Sequence, residues 1–188
     1  ADENDLLPLS NYFDERFTIA SVQAPTPLPP HFGGYCWFPI STSLEANATE
    51  VRTAIVQLDQ WVQSVAGNYR SVSLLGFSQG MAMATSLMRM RPGTYPAVIG
   101  LSGFVIETPE LEDLFDDKAF ATSNQPVFWG YDPNDPIVAA DRIAQTGAWL
   151  RPRVSLVEKT YQGIGHGIHP QEIHHFLDFL NQHVAVAH

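Results

Sequence analysis

From about residue 71 to the last residues, short apolar runs alternate with segments of helical periodicity, and this alternation narrows the fold more than any other feature. Ser71–Leu75, Ala97–Leu101, Pro126–Trp129 and Arg153–Tyr161 read as strands. Met81–Arg91, which ends at Pro92-Gly93, and Ile137–Leu150 read as helices, as does a final segment from Pro170 through Ile173, Phe176, Leu177, Leu180 and Val184. Ahead of them, Val51, Ala54, Ile55, Leu58, Trp61, Val62 and Val65 recur at the spacing of one helix face, and Gly67 stops the pattern. Further upstream, Phe17–Val22 reads as a strand closed by a proline-rich stretch at 25–30. Strands separated by helices of this length predict an α/β fold, a mostly parallel sheet with helices on both faces.

A chain of 188 residues, 45% hydrophobic, suits one domain, 1–188, with a substantial core. No repeat or low-complexity tract interrupts it. No apolar run approaches the roughly 20 residues that span a bilayer, so stable membrane insertion is not expected. The acidic start Ala1-Asp2-Glu3-Asn4-Asp5 is unlike a secretory signal, which predicts a cytoplasmic protein. A net charge of −10, from 20 acidic and 10 basic residues, argues against nucleic acid as a partner. Cys36 is the single cysteine and cannot form an internal disulfide.

In such sheets chemistry collects at the carboxyl ends of the strands. The first strand of the repeating series runs into Gly76-Phe77-Ser78-Gln79-Gly80, a G-x-S-x-G between a strand and a helix. Flanking glycines permit a turn too tight for side chains, and the turn lifts the Ser78 hydroxyl above the sheet edge. The helix that follows offers its positive end to developing negative charge. This pattern predicts a serine nucleophile.

A serine nucleophile needs a base, and the base an orienting group, in the order Ser, Asp or Glu, His. The strand ending at Trp129-Gly130 leads into Tyr131-Asp132-Pro133-Asn134-Asp135-Pro136, and the next leads into Gly163-Ile164-Gly165-His166-Gly167. Both stretches lie on the same sheet edge as Ser78. Asp132 equally suits an Asx turn, and Asp135 equally suits a helix N-cap. His166 sits between glycines on a loop, whereas His169 precedes Pro170 and marks the start of the last helix. The further histidines, His174 and His175, point apart on a helix and lack cysteine support, so no metal site is expected. Met81, Met83, Met88 and Met90 read as core filler, and acid-rich Glu110–Asp117 as a solvated face or short surface helix.

Gly76-Phe77-Ser78-Gln79-Gly80-Met81 resembles the nucleophile turn of the phospholipase/carboxylesterase family of α/β-hydrolases, which includes acyl-protein thioesterases. The likeness extends to Glu3-Asn4-Asp5-Leu6-Leu7, Gly33-Gly34-Tyr35 with Trp37-Phe38, Leu101-Ser102-Gly103, Trp129-Gly130 with Asp135-Pro136, and Gly165-His166-Gly167, in the family's order. It implies a cofactor-independent hydrolase of carboxylic esters or thioesters acting on small molecules, with Ser78, Asp135 and His166 as its triad. It further implies that Gln79 N–H is one oxyanion donor and that Trp37, Phe38 and Phe104 border the acyl pocket. From the bare sequence these aromatics read equally as core. In the family, the segment like Asp2–Leu7 follows a central strand and a loop carrying the second oxyanion donor. The resemblance therefore leaves three expectations: the chain is a fragment, another segment fills the gap, or the sheet closes up, the first choice being a preceding or swapped segment, as in strand exchange in a homodimer. An incomplete oxyanion hole would instead make the chain a non-catalytic binding protein.

Overall fold

The computed structural model describes residues 1–31, 33–39 and 46–184. The chain forms two compact units whose boundary falls between Ala54 and Ile55. The smaller unit holds a 3₁₀ turn at Leu7–Tyr12 and an antiparallel ribbon of β1 (Thr26–Pro27) and β2 (Tyr35–Cys36). Gly33 and Gly34, at φ 67° and 77°, turn the chain between the two strands, and Tyr35 N–H donates to Ala1 O at 2.8 Å.

Helix α1 (Ala48–Ala66) crosses the boundary between the units. The larger unit continues with β3 (Leu74–Phe77), α2 (Gln79–Met90), β4 (Val98–Leu101), α3 (Asp117–Thr122), β5 (Pro126–Tyr131), α4 (Ala140–Leu150), β6 (Ser155–Thr160) and α5 (Pro170–His183). Strands β3 to β6 pair in sequence order, all parallel, with Gly76, Gly100 and Trp129 in one cross-strand row.

This order explains where the helices go. Right-handed crossovers that advance one strand at a time leave their helices on the same face. Accordingly α2, α3 and α4 are tied together: Phe120 of α3 stacks on Trp149 of α4, and the Arg89 guanidinium of α2 lies 5.0 Å from the Trp149 ring. Helix α2 seats Met81 on Gly100, where a Cβ would lie 2.5 Å from the Met81 sulfur. Helix α5, which follows the last strand, covers the other face, setting Phe176 and Phe179 against Phe128 of β5. Alternation along β5 puts Phe128 opposite Trp129, so one strand supplies both layers of the core. Strand β4 is wholly buried, as a sheet covered on both sides requires. Met81, Met83 and Met88 are buried in this core, and Met90 is half-buried.

The expected strand at Phe17–Val22 does not form: among the described residues it joins no ladder, and Ile19 is 41% exposed. A strand needs a neighbour for its backbone groups, and every strand of the parallel sheet comes from residues 74–160. Several boundaries also move by two or three residues. The first strand of the sheet extends to Phe77, because its ladder with β4 runs to Phe77 opposite Leu101. Helix α4 starts at Ala140, not Ile137, because Asp135 Oδ1 first gathers the N–H groups of Ile137 and Val138 into a turn. The acid-rich segment contains a 3₁₀ helix at Pro109–Leu114. No helix among the described residues is long and apolar enough to cross a membrane.

Candidate active site

The turn between β3 and α2 closes at van der Waals limits. A Cβ on Gly76 would sit 2.1 Å from Gly80 O, and one on Gly103 would sit 2.6 Å from Ser78 O. Only hydrogen fits at either place. Ser78 stands at the apex with φ 54° and ψ −120°, a conformation rarely held by a residue with a side chain. Its own N–H donates to Leu101 O at 2.9 Å, and its carbonyl accepts from Met81 N–H at 3.0 Å. Gln79 is the first residue of α2, at the positive end of the helix dipole.

Beside this turn, the Phe77 ring lies 4.9 Å from the His166 ring, centroid to centroid. His166 Nδ1 is 2.8 Å from Asp135 Oδ2. The Asp135 carboxyl is buried and the imidazole is 18% exposed. Asp135 uses both oxygens, since Oδ1 accepts from Ile137 and Val138 N–H at 2.7 and 3.0 Å. A carboxylate fixed on one side by backbone donors and facing Nδ1 on the other dictates the tautomer: Nδ1–H donates to Asp135, and Nε2 is left basic.

The loop that carries His166 is held at alternate residues. Gly165 N–H donates to Asp132 Oδ2 at 2.9 Å, Ser102 Oγ–H donates to Gly167 O at 2.7 Å, and His169 N–H donates to Glu172 Oε2 at 3.0 Å. Backbone N–H groups, Asn134 first and then Gly165, hold the Asp132 carboxyl below its ordinary range. Glu172 is the reverse case. It is fully buried, its Oε1 has no hydrogen-bond partner, and burial pushes its pKa up to about 7 against the pull of His169 N–H.

A profile of the Phospholipase/Carboxylesterase family matches residues 15–184. The chain belongs to this family. Acyl-protein thioesterase 1 of Candida albicans is 25% identical over 107 residues, which cover 56% of this chain and 46% of that protein. The match thus spans about half the length of that relative. Two solved structures share the fold over nearly the whole chain. Arabidopsis thaliana SOBER1 is 20% identical, with a TM-score of 0.79 over 97% of this chain and 93% of its own. The Bacillus cereus carboxylesterase is 17% identical, with a TM-score of 0.80 over 98% and 84%. The fold is that of the α/β-hydrolases.

For a member of this family, the placement of the remaining candidates is informative. Phe104 is buried just after β4, with the Arg142 guanidinium 5.6 Å from its ring. Trp37 and Phe38 belong to the smaller unit, half-buried and buried respectively. His169 caps α5, its Nδ1 accepting from Gln171 N–H at 3.1 Å, which fits its reading as a helix start. His175 Nδ1 lies 2.8 Å from the Tyr161 hydroxyl. No group of three or more metal-binding side chains occurs among the described residues. Sequence reasoning missed Ser102 and Glu172, and saw in Asp132 only a triad alternative or a local turn. That turn exists, since Asn134 N–H donates to Asp132 Oδ1 at 2.9 Å. The contacts from Ser102 and Asp132 to the histidine loop bridge 65 and 33 residues, distances over which no periodicity carries a signal.

Proposed function

We propose that this chain is a serine esterase hydrolysing short- to medium-chain carboxylic esters through an acyl-enzyme on Ser78. The observation that carries the reading is the 2.8 Å contact between His166 Nδ1 and a buried Asp135, at the sheet edge where Ser78 tops its strained turn. With Nδ1–H committed to Asp135, His166 Nε2 removes the Ser78 proton as Oγ attacks the ester carbonyl. Asp135 stabilises the imidazolium that results. Gln79 N–H and the positive end of α2 face the developing oxyanion, where one good donor stabilises the transition state by about 3–4 kcal/mol. The imidazolium then protonates the leaving alcohol, and water repeats the sequence on the acyl-enzyme. The chemistry calls for no cofactor.

The test is turnover of a chromogenic short-acyl ester series by the wild type and Ser78→Ala, with fluorophosphonate labelling alongside. Turnover and labelling should both vanish in Ser78→Ala. A folded wild-type protein that neither labels nor turns over would leave a non-catalytic binding protein. The resemblance to an acyl-protein thioesterase supports a second reading, a longer-chain acyl substrate of the kind an acyl-protein thioesterase or lysophospholipase takes. Activity that climbs with acyl length past about eight carbons would favour it, since each buried methylene adds roughly 0.8 kcal/mol.

A further inference from the structure

We propose that Ser102 and Asp132 are positioning residues that grip the His166 loop from both sides and hold the imidazole in line between Asp135 and Ser78. The inference rests on the triad reading above. The loop needs such a grip. Residues 163–167 include three glycines, two of them at positive φ (Gly163 at 84°, Gly165 at 61°), so the backbone alone leaves His166 many orientations. General-base catalysis tolerates few of them.

The restraint comes from two other strands. Asp132, just past β5, accepts from Gly165 N–H, and Ser102, just past β4, donates to Gly167 O. These are the residues immediately before and after His166. Both gripping residues are only 1% exposed, so neither bond is loosened by solvent. Each is itself fixed. Asp132 Oδ1 is occupied by Asn134 N–H, and Ser102 N–H donates to Gly130 O at 2.8 Å, which locks it to the end of the neighbouring strand.

Backbone strain at Ser102 points the same way. Its φ is 43°, in the left-handed region where glycine would sit without cost. Local folding gives no reason for a side chain there, whereas the hydroxyl on Gly167 O does. Asp135 is held separately by Ile137 and Val138, so the grip governs the imidazole side of the pair and not the carboxylate side.

Ser102→Gly and Asp132→Asn test this in the full chain, read by steady-state kinetics, melting temperature and the downfield proton resonance of His166 Nδ1–H. Ser102→Gly removes the hydroxyl and relieves the backbone. Asp132→Asn keeps the shape but cannot accept both N–H bonds. Each should lower kcat on the order of 100-fold, the cost of displacing a catalytic group by about 1 Å. KM should stay within about twofold, and the resonance should shift or broaden. Ser102→Gly should do so with a melting temperature at or above wild type. Variants that stay folded with unchanged kcat and resonance would overturn the proposal. So would losses of kcat in both variants that merely track a loss of folded protein, since the side chains would then be structural. Should Ser78→Ala retain turnover, the triad reading is what fails. The resonance still reports the grip, because it does not depend on turnover.

Discussion

At Ser78 the proposed function and stability pull against each other. A side chain at φ 54° and ψ −120° costs on the order of 1–3 kcal/mol, and the strain persists because the bonds from Ser78 N–H to Leu101 O and from Met81 N–H to Ser78 O hold the backbone there. Ser78→Gly should therefore be more stable than Ser78→Ala by about 1 kcal/mol, although both lack the proposed nucleophile and glycine is the more flexible when unfolded. Urea denaturation of the two variants measures the difference. Equal midpoints would mean that the turn is not strained. Asp135 presents the complementary case, a residue with two duties: one oxygen closes a turn through Ile137 and Val138, and the other faces His166.

At the scale of elements, the helices over one face of the sheet are joined through a single buried cation. Arg89 of α2 donates through Nε and Nη2 to Asp117 at the start of α3, at 3.0 and 2.8 Å, and through Nη1 to Ile106 O at 3.1 Å. Its guanidinium also lies 3.8 Å from the Phe115 ring. Arginine suits this place because one planar fork serves two acceptors and stacks at the same time. Lysine keeps the charge and loses the fork, so Arg89→Lys should cost about 1–2 kcal/mol. Asp117 is half exposed, which keeps the expected loss modest. A urea midpoint indistinguishable from wild type would show that charge alone holds the junction.

Across the whole molecule, Glu172 should set the slope of stability against pH. Burial raises its pKa from 4.5 to about 7 in the folded state, so between these values the folded protein binds more protons than the unfolded one. Its contribution is therefore complete below about pH 4.5 and is lost as pH climbs through about 7. Asp132 and Glu158, whose carboxyls are held below their ordinary range, act in the opposite sense and lose stability on acidification. Glu172→Gln keeps an acceptor for His169 N–H and cannot ionise. It should flatten the fall between pH 4.5 and 7.5, by up to about 3 kcal/mol. Parallel stability curves for the two proteins over that range would mean that Glu172 titrates normally.

The alternation of apolar runs and helix-periodic segments determined the parallel sheet, its four strands and the helices α2, α4 and α5, but not the short α3. Burial on both faces demands that periodicity, and each signal lies within a dozen residues. G-x-S-x-G marked Ser78 by the same local logic, since Gly76 must lack a side chain for the turn to close against Gly80 O. Chain order and strand ends narrowed the rest to Asp132 or Asp135 with His166 or His169. The family resemblance pointed to Asp135 and His166, and the tertiary structure shows which of these side chains meet. It gave Nδ1 of His166 to Asp135 and turned His169 into the cap of α5, because such partners are chosen by contacts across the fold. It also overruled Phe17–Val22, which has strand-like residues but no neighbour to complete its hydrogen bonds. Ser102, Asp132 and Glu172 show the same limit. Ordinary residues in sequence, they take their roles from three bonds to one loop, and those bonds exist only after the strands have assembled.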